Sequence, residues 1–202
     1  NKACTDAVRT GCFQIKAVAI MPTDTVRLYK GSNLYVSDRT GPFSLQRTTD
    51  SSTTMMIRKA KNYETCQWLA GCWNDPSPLT SGDVVALYFT RTKRVADCAH
   101  GRCSSQPYPP PRGHWGTPFK LCKDAACTKF GGMIRHDDYV FFEQLQGSHT
   151  AWSKTYVLGF SPVKAGAYFG GKKRKVTNAA CTGTRQTGCF QIKWVSTPKL
   201  DC

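Results

Sequence analysis

The sequence predicts an all-β fold, and three observations carry that expectation. No segment of eleven or more residues keeps apolar side chains at the i, i+3, i+4, i+7 spacing of an amphipathic helix. Short runs rich in Val, Tyr, Phe and Thr are instead punctuated by Gly, Pro, Asn and Asp, as strands and turns are. Close cysteine pairs recur at Cys4/Cys12, Cys66/Cys72, Cys122/Cys127 and Cys181/Cys189, marking steps of roughly 56–62 residues.

Apolar runs that read as strands follow three of these steps, at Val26–Lys30, Val84–Phe89 and Tyr139–Glu143. A second strand-like run comes after, as at Leu34–Ser37 and Thr155–Phe160, and Lys30-Gly31-Ser32-Asn33 reads as a hairpin turn. The steps Gly41-Pro42-Phe43 and Thr117-Pro118-Phe119 mark the same place in two units, with Gly166–Phe169 in the third place more loosely. Three units of four strands close naturally into a barrel capped by hairpins. VRLYKGSNLYVSDRTGPFSLQR (26–47) resembles the hairpin of β-trefoils of the fibroblast-growth-factor and fascin type. FFEQLQGSHTAWSKTYVLGF (141–160) is similar to a barrel strand, a loop and the next unit's strand in the same folds. The resemblance implies a β-trefoil-like closed barrel of three units, with a β-sandwich as the structural alternative.

Eleven of the 202 residues are cysteine. Ten fall into close pairs: the four above and Cys98/Cys103. Each pair encloses a loop short enough for a disulfide across a turn or hairpin, contributing roughly 2–3 kcal/mol by loop entropy. Disulfides place the chain in an oxidising compartment, so it is expected to be secreted and extracellular. Zinc is the competing reading at Cys98, His100, Cys103 and His114, but no Cys-x-x-Cys pair occurs, and no metal or cofactor is expected. Cys202 has no close partner in sequence and is a candidate for a bond to another chain.

A long-range repeat is the most specific signal. Ala3-Cys4-Thr5 through Lys16 returns as Ala180-Cys181-Thr182 through Lys193 at a constant offset of 177, and TGCFQIK is identical in both copies. Either the copies are two strands of one domain, or the chain holds one full unit and the start of the next. Four cysteine-pair steps exceed the three that a three-unit barrel needs, which favours the second meaning. On that reading residues 1–178 form the unit, and 179–202 begin a second repeat or supply a closing or linking strand. The second copy would then have no place in its own barrel and would serve a neighbour.

The net charge is +15, from 28 Lys and Arg against 13 Asp and Glu. Between Gln144 and Leu200 there are nine basic residues and no acidic one, four of them consecutive at Lys172, Lys173, Arg174 and Lys175. Such a cluster attracts a polyanion by counterion release, and Arg can hold sulfate in a bidentate fashion. The same cluster can equally be a solvated turn that keeps the protein in solution. Trp115, beside His114 in a Gly- and Pro-rich stretch from Cys98 that reads as a long surface loop, could stack on a sugar face.

Enzyme readings find little support. The four histidines lie in separate contexts, no Gly-x-Ser-x-Gly elbow occurs, and Gly170-Gly171-Lys172-Lys173 lacks phosphate-loop spacing. His136-Asp137-Asp138 reads as a solvated turn. No run of 18 apolar residues is present, so membrane insertion is not expected, and neither is nucleic acid as a partner. Two functions remain. The first is a secreted, self-associating structural protein, a subunit of an extracellular fibre, coat or adhesive built from repeated units. The second is a lectin-like module for acidic or sulfated polysaccharide.

Overall fold

The computed structural model describes residues 18–30, 34–38, 45–48, 52–63, 70–99, 102–107, 116–145, 156–157, 181 and 188–197. These form eleven strands: β1 (Thr25–Lys30), β2 (Leu34–Asp38), β3 (Leu45–Thr48), β4 (Met55–Lys59), β5 (Val84–Phe89), β6 (Arg94–Ala99), β7 (Arg102–Pro107), β8 (Phe119–Cys122), β9 (Tyr139–Gln144), β10 (Tyr156–Val157) and β11 (Phe190–Ser196). A 3-10 turn at Ala70–Cys72 lies between β4 and β5.

Six strands close a ring. β1 pairs with β11, β11 with β9, β9 with β8, β8 with β5, β5 with β4, and β4 returns to β1, every pair antiparallel. Closure leaves no free edge in the barrel, and a β-sandwich is excluded by it. β2 and β3 continue from β1 as a hairpin, β6 and β7 continue from β5, and β10 pairs back on β9.

Alternation along the strands fills the ring. Each barrel strand turns residues i and i+2 inward because successive side chains leave opposite faces of the pleat. The inward pairs are Val26 and Leu28, Met55 and Ile57, Val85 and Leu87, Phe119 and Leu121, Val140 and Phe142, and Phe190 and Ile192. All are no more than 1% exposed. Phe142 sits between Phe119 and Phe190, with ring centroids 6.2 and 6.1 Å away.

Three turns of one design stand before β1, β5 and β9. Each begins with a fully buried aliphatic residue and ends with an aspartate: Ile20–Asp24, Leu79–Asp83 and Ile134–Asp138. In each, the carboxylate accepts the backbone N–H three residues earlier, from Met21, Thr80 and Arg135, at 2.8, 2.7 and 2.8 Å. The three aliphatic residues are joined by a closed ring of backbone hydrogen bonds. Ile20 N–H donates to the Ile134 carbonyl at 2.8 Å, Ile134 to Leu79 at 2.8 Å, and Leu79 to Ile20 at 2.9 Å.

Several sequence expectations are corrected here. The two Pro-Phe steps do not hold equivalent places: residues 41–43 precede the hairpin strand β3, whereas Thr117-Pro118 leads into the barrel strand β8. Proline lacks the N–H that a ladder uses and suits any strand entrance, so it marks an edge and not a position. Nor does Tyr156–Val157 open a next unit, because it pairs with Glu143 and Gln144 of the strand before it. The stretch after Cys98 is not all loop, since β7 pairs with β6 from Arg94↔Pro107 to Ala99↔Arg102. Its Ser- and Gln-rich sequence hides the strand, although Cys103 and Ser105 are buried on alternate positions.

Candidate functional site

The second repeat copy is strand β11, and it lies inside its own barrel between β1 and β9. The expectation that it would have no place there is overturned. Counting cysteine pairs overestimates the strands left over, because a pair marks the approach to a strand and not a complete unit.

The place of β11 is defined residue by residue. Along β1 it pairs Tyr29↔Gln191, Leu28↔Ile192, Arg27↔Lys193, Val26↔Trp194 and, after a register shift, Thr25↔Ser196. Along β9 it pairs Phe190↔Val140 and Gln191↔Tyr139. Phe190 and Ile192 point into the barrel and are fully buried. Gln191 and Lys193 face outward onto the Arg135–Asp138 turn. Gln191 Nε2 donates to the Asp137 carbonyl at 3.2 Å, and Lys193 Nζ pairs with the Asp137 carboxylate. The same turn exchanges backbone bonds with Ile192, from Asp137 N–H at 2.8 Å and to Asp138 O at 2.9 Å. The Trp194 backbone N–H donates to His136 Nδ1 at 2.9 Å, while the residue as a whole is 43% exposed. The His136-Asp137-Asp138 stretch is therefore a clamp on the repeated strand. Asp137 holds a left-handed φ of 69°, which a short polar side chain tolerates.

Entry into β11 is set by Gly188, at φ +113°, and by Cys189, which is buried and bonded to Cys181. Cys189 packs with Phe141 and Cys122 on the outside of the barrel, flanked by Ala125, Cys127 and Cys181. Two disulfides, Cys122–Cys127 and Cys181–Cys189, thus cover one outward Phe of β9. The Glu143 carboxylate lies within 4.8 Å of the Cys122 and Cys127 sulfurs. Those sulfurs are bonded to each other and offer no thiolate to a metal. The Cys98–Cys103 disulfide joins directly opposite residues of β6 and β7, so these two sulfurs are not free for zinc either. Cys72 is also disulfide-bonded.

Asp124 fastens the loop that follows Cys122. Its carboxylate accepts from Thr128 Oγ1 at 2.7 Å and from the backbone N–H groups of Thr128 and Lys129 at 3.0 and 3.5 Å. Burial alone would raise its pKa, but these donors and the Lys129 charge outweigh burial and hold it below the ordinary 3.8. A carboxyl depressed in the folded state stabilises above its unfolded pKa and loses that contribution as pH falls through the folded value. Asp124→Asn is therefore expected to lower the urea midpoint at pH 7 and to leave it nearly unchanged once the wild-type carboxyl is protonated in acid. Parallel urea titrations of both proteins, at neutral pH and well below pH 3.8, check this.

Outward positions of the barrel wall carry Arg27, Arg58 and Lys193, with the Arg58 guanidinium 5.7 Å above the Tyr88 ring and Lys193 Nζ 5.8 Å above Tyr29. The Nε atoms of Arg27 and Arg58 are buried with no hydrogen-bond partner among the described residues. Arg27 does not stand out in the sequence, whereas Arg58 belongs to a basic run with Lys59 and Lys61 that reads as a solvated strand edge. The strand register could have paired Arg27 with Lys193, but register is visible only once the barrel closes.

Of the sites expected from the sequence, Lys172, Lys173, Arg174, Lys175, Trp115, Cys202, Cys4, Cys12 and Cys66 lie outside the described residues. The three Ile/Leu-x-x-x-Asp turns were missed, though the spacing I-M-P-T-D, L-T-S-G-D and I-R-H-D-D was there to be read. Among the described residues no helix is long and apolar enough to cross a membrane.

No protein-family model and no curated protein matches the sequence. Solved structures do share the fold. The SDF2-like protein from Arabidopsis thaliana superposes with a TM-score of 0.58 at 12% identity, over 91% of this chain and 100% of that one. A Caenorhabditis elegans protein of unknown function gives 0.57 at 9% identity, over 92% and 100%. The lysenin pore gives 0.48 at 10% identity, and this chain, 89% covered, spans half of that one. At such identities the first two likenesses show an all-β fold and nothing more.

Proposed function

We propose that the chain is a secreted, disulfide-stapled β-trefoil unit of an extracellular structural assembly. The repeated strand carries this reading: a 177-residue repeat returns to a segment that the barrel requires for closure. The trefoil reading is supported by the six-stranded ring, the hairpins after β1 and β5, and the three aspartate turns joined by one hydrogen-bond ring. Secretion is supported by the local disulfides, which persist in oxidising compartments. Residues 1–178 then act as the unit, residues 179–202 as its closing strand, and Cys202 as a candidate covalent tie between chains.

The arginines of the barrel wall favour a second reading, a module for acidic or sulfated polysaccharide. Arg27 and Arg58 would present guanidinium groups, Arg58 beside the Tyr88 ring, and the Lys172–Lys175 run and Trp115 are the sequence's own candidates for the same class of ligand. Gel filtration of native protein with and without reductant, followed by heparin chromatography, separates the two. Large ordered particles that shrink in reductant are the expected result. A monomer retained on heparin, with retention lost in salt, would replace the structural reading with the second.

A further inference from the structure

Seven of the residues that fix β11 in its place exist twice in the sequence. Cys181, Gly188, Cys189, Phe190, Gln191, Ile192 and Lys193 have identical counterparts in Cys4, Gly11, Cys12, Phe13, Gln14, Ile15 and Lys16. Among them are the disulfide that sets the entry, the glycine whose positive φ the turn needs, the two fully buried barrel residues and the two that grip Asp137. Between the cysteines the copies differ at Asp6/Gly183, Ala7/Thr184, Val8/Arg185 and Arg9/Gln186, and past Lys193 the first difference is Trp194 against Ala17, at a residue that is 43% exposed. The next is Ser196 against Ala19, again at an exposed position. From Gly188 to Ser196 the buried positions are identical in the two copies and the two differences fall on exposed ones, as a shared binding slot demands.

The chain path permits the exchange. The first copy ends at Val18 and Ala19, and Ala19 bridges to Arg135, in the same turn that clamps β11. It also stands just before β1 in sequence. Pairing Ile15 with Leu28 and Lys16 with Arg27, as Ile192 and Lys193 pair now, would make an antiparallel hairpin closed by residues 17–26. Residues 21–24 of that connection already turn, with Asp24 N–H donating to the Met21 carbonyl at 2.9 Å.

We propose that the gap between β1 and β9 is a slot for either copy, and that the chain's own residues 4–16 can replace 181–193 in it. The displaced second copy is then a strand that fits the same slot in another copy of the chain, in the manner of donor-strand complementation. This last step rests on the structural-assembly reading; the exchange itself does not.

Point substitutions in the full chain test the exchange, read by urea unfolding of dilute protein so that self-association does not enter. Phe190→Asp is expected to keep a cooperative unfolding transition, because Phe13 supplies the slot. Phe13→Asp is expected to unfold like the wild type. The double variant Phe13→Asp/Phe190→Asp is expected to lose the cooperative transition. If Phe190→Asp alone loses the transition as completely as the double variant, the slot takes only the second copy and the proposal fails. If the double variant remains cooperatively folded, the slot does not need either strand and the proposal also fails. The particle size of Phe190→Asp at high concentration reports separately on the assembly reading, whichever way the unfolding experiment turns out.

Discussion

Phe142→Ala is expected to destabilise the protein by about 3–5 kcal/mol, enough to unfold many single domains outright. Phe142 is fully buried on β9 and points into the barrel. Its ring meets Phe119 on one side and Phe190 on the other, at 6.2 and 6.1 Å between centroids. Truncation removes the transfer free energy of the ring and leaves a cavity bounded by strands that cannot approach, because the ring of six is already hydrogen-bonded shut. Two aromatic contacts are lost as well, each worth about 0.5–1.5 kcal/mol beyond area. Urea unfolding should show a lower midpoint with an unchanged slope. A loss under about 1 kcal/mol would mean that the interior can collapse around the deletion, contrary to a closed barrel.

Gly116→Ala is expected to cost about 3 kcal/mol or more, a large effect for one methyl group. Gly116 has φ +74°, a conformation that an L side chain enters only with strain. A Cβ built there would stand 2.1 Å from the Ala96 carbonyl oxygen, a backbone atom of β6 that cannot swing aside. Relief requires moving Thr117, whose N–H donates to that same carbonyl at 3.0 Å. Thr117 Oγ1 in turn accepts from Cys98 N–H at 2.6 Å and reaches the Cys98 carbonyl at 3.1 Å. The substitution thus loosens the joint between the β6–β7 hairpin and the entrance to β8. Gly71→Ala is the matched control, since a Cβ there meets nothing within 4 Å. Thermal or urea unfolding of both variants checks the contrast, and equal losses would refute the steric account.

Legibility of the fold followed the chemistry that each element needs. The runs at Val26, Val84 and Tyr139 became β1, β5 and β9 because alternating apolar residues have one stable use on a curved sheet. Cys98/Cys103, Cys122/Cys127 and Cys181/Cys189 are bonded across short loops, where spacing alone limits the choice of partner. β7 stayed hidden because Arg102–Pro107 carries almost no apolar signal and draws its order from the β6 ladder. The role of β11 stayed hidden for a different reason. Identical sequences at 13–16 and 190–193 cannot tell which copy the barrel uses, since that depends on chain path and not on local preference. Asp137 was read as a solvated residue, and it is half exposed, yet its carboxylate and carbonyl both hold β11. Solvent contact and a structural task coexist there.

The bonds among Ile20, Leu79 and Ile134 bear on how the chain reaches its native state. These residues lie 59 and 55 positions apart in the sequence, so each bond of the ring closes a long loop. No one segment can satisfy its own share: Ile20 needs Ile134, Ile134 needs Leu79, and Leu79 needs Ile20. Opening any one of the three turns strands a buried donor in one neighbour and an acceptor in the other, at about 1–3 kcal/mol for each orphaned group. Partial unfolding is thereby made costly, and the molecule is driven toward all-or-none behaviour. The same dependence delays assembly, because non-local closure places such a chain among folders on the millisecond-to-second scale. Three turns far apart in sequence thus form and open together, which makes the ring a single cooperative joint of the barrel.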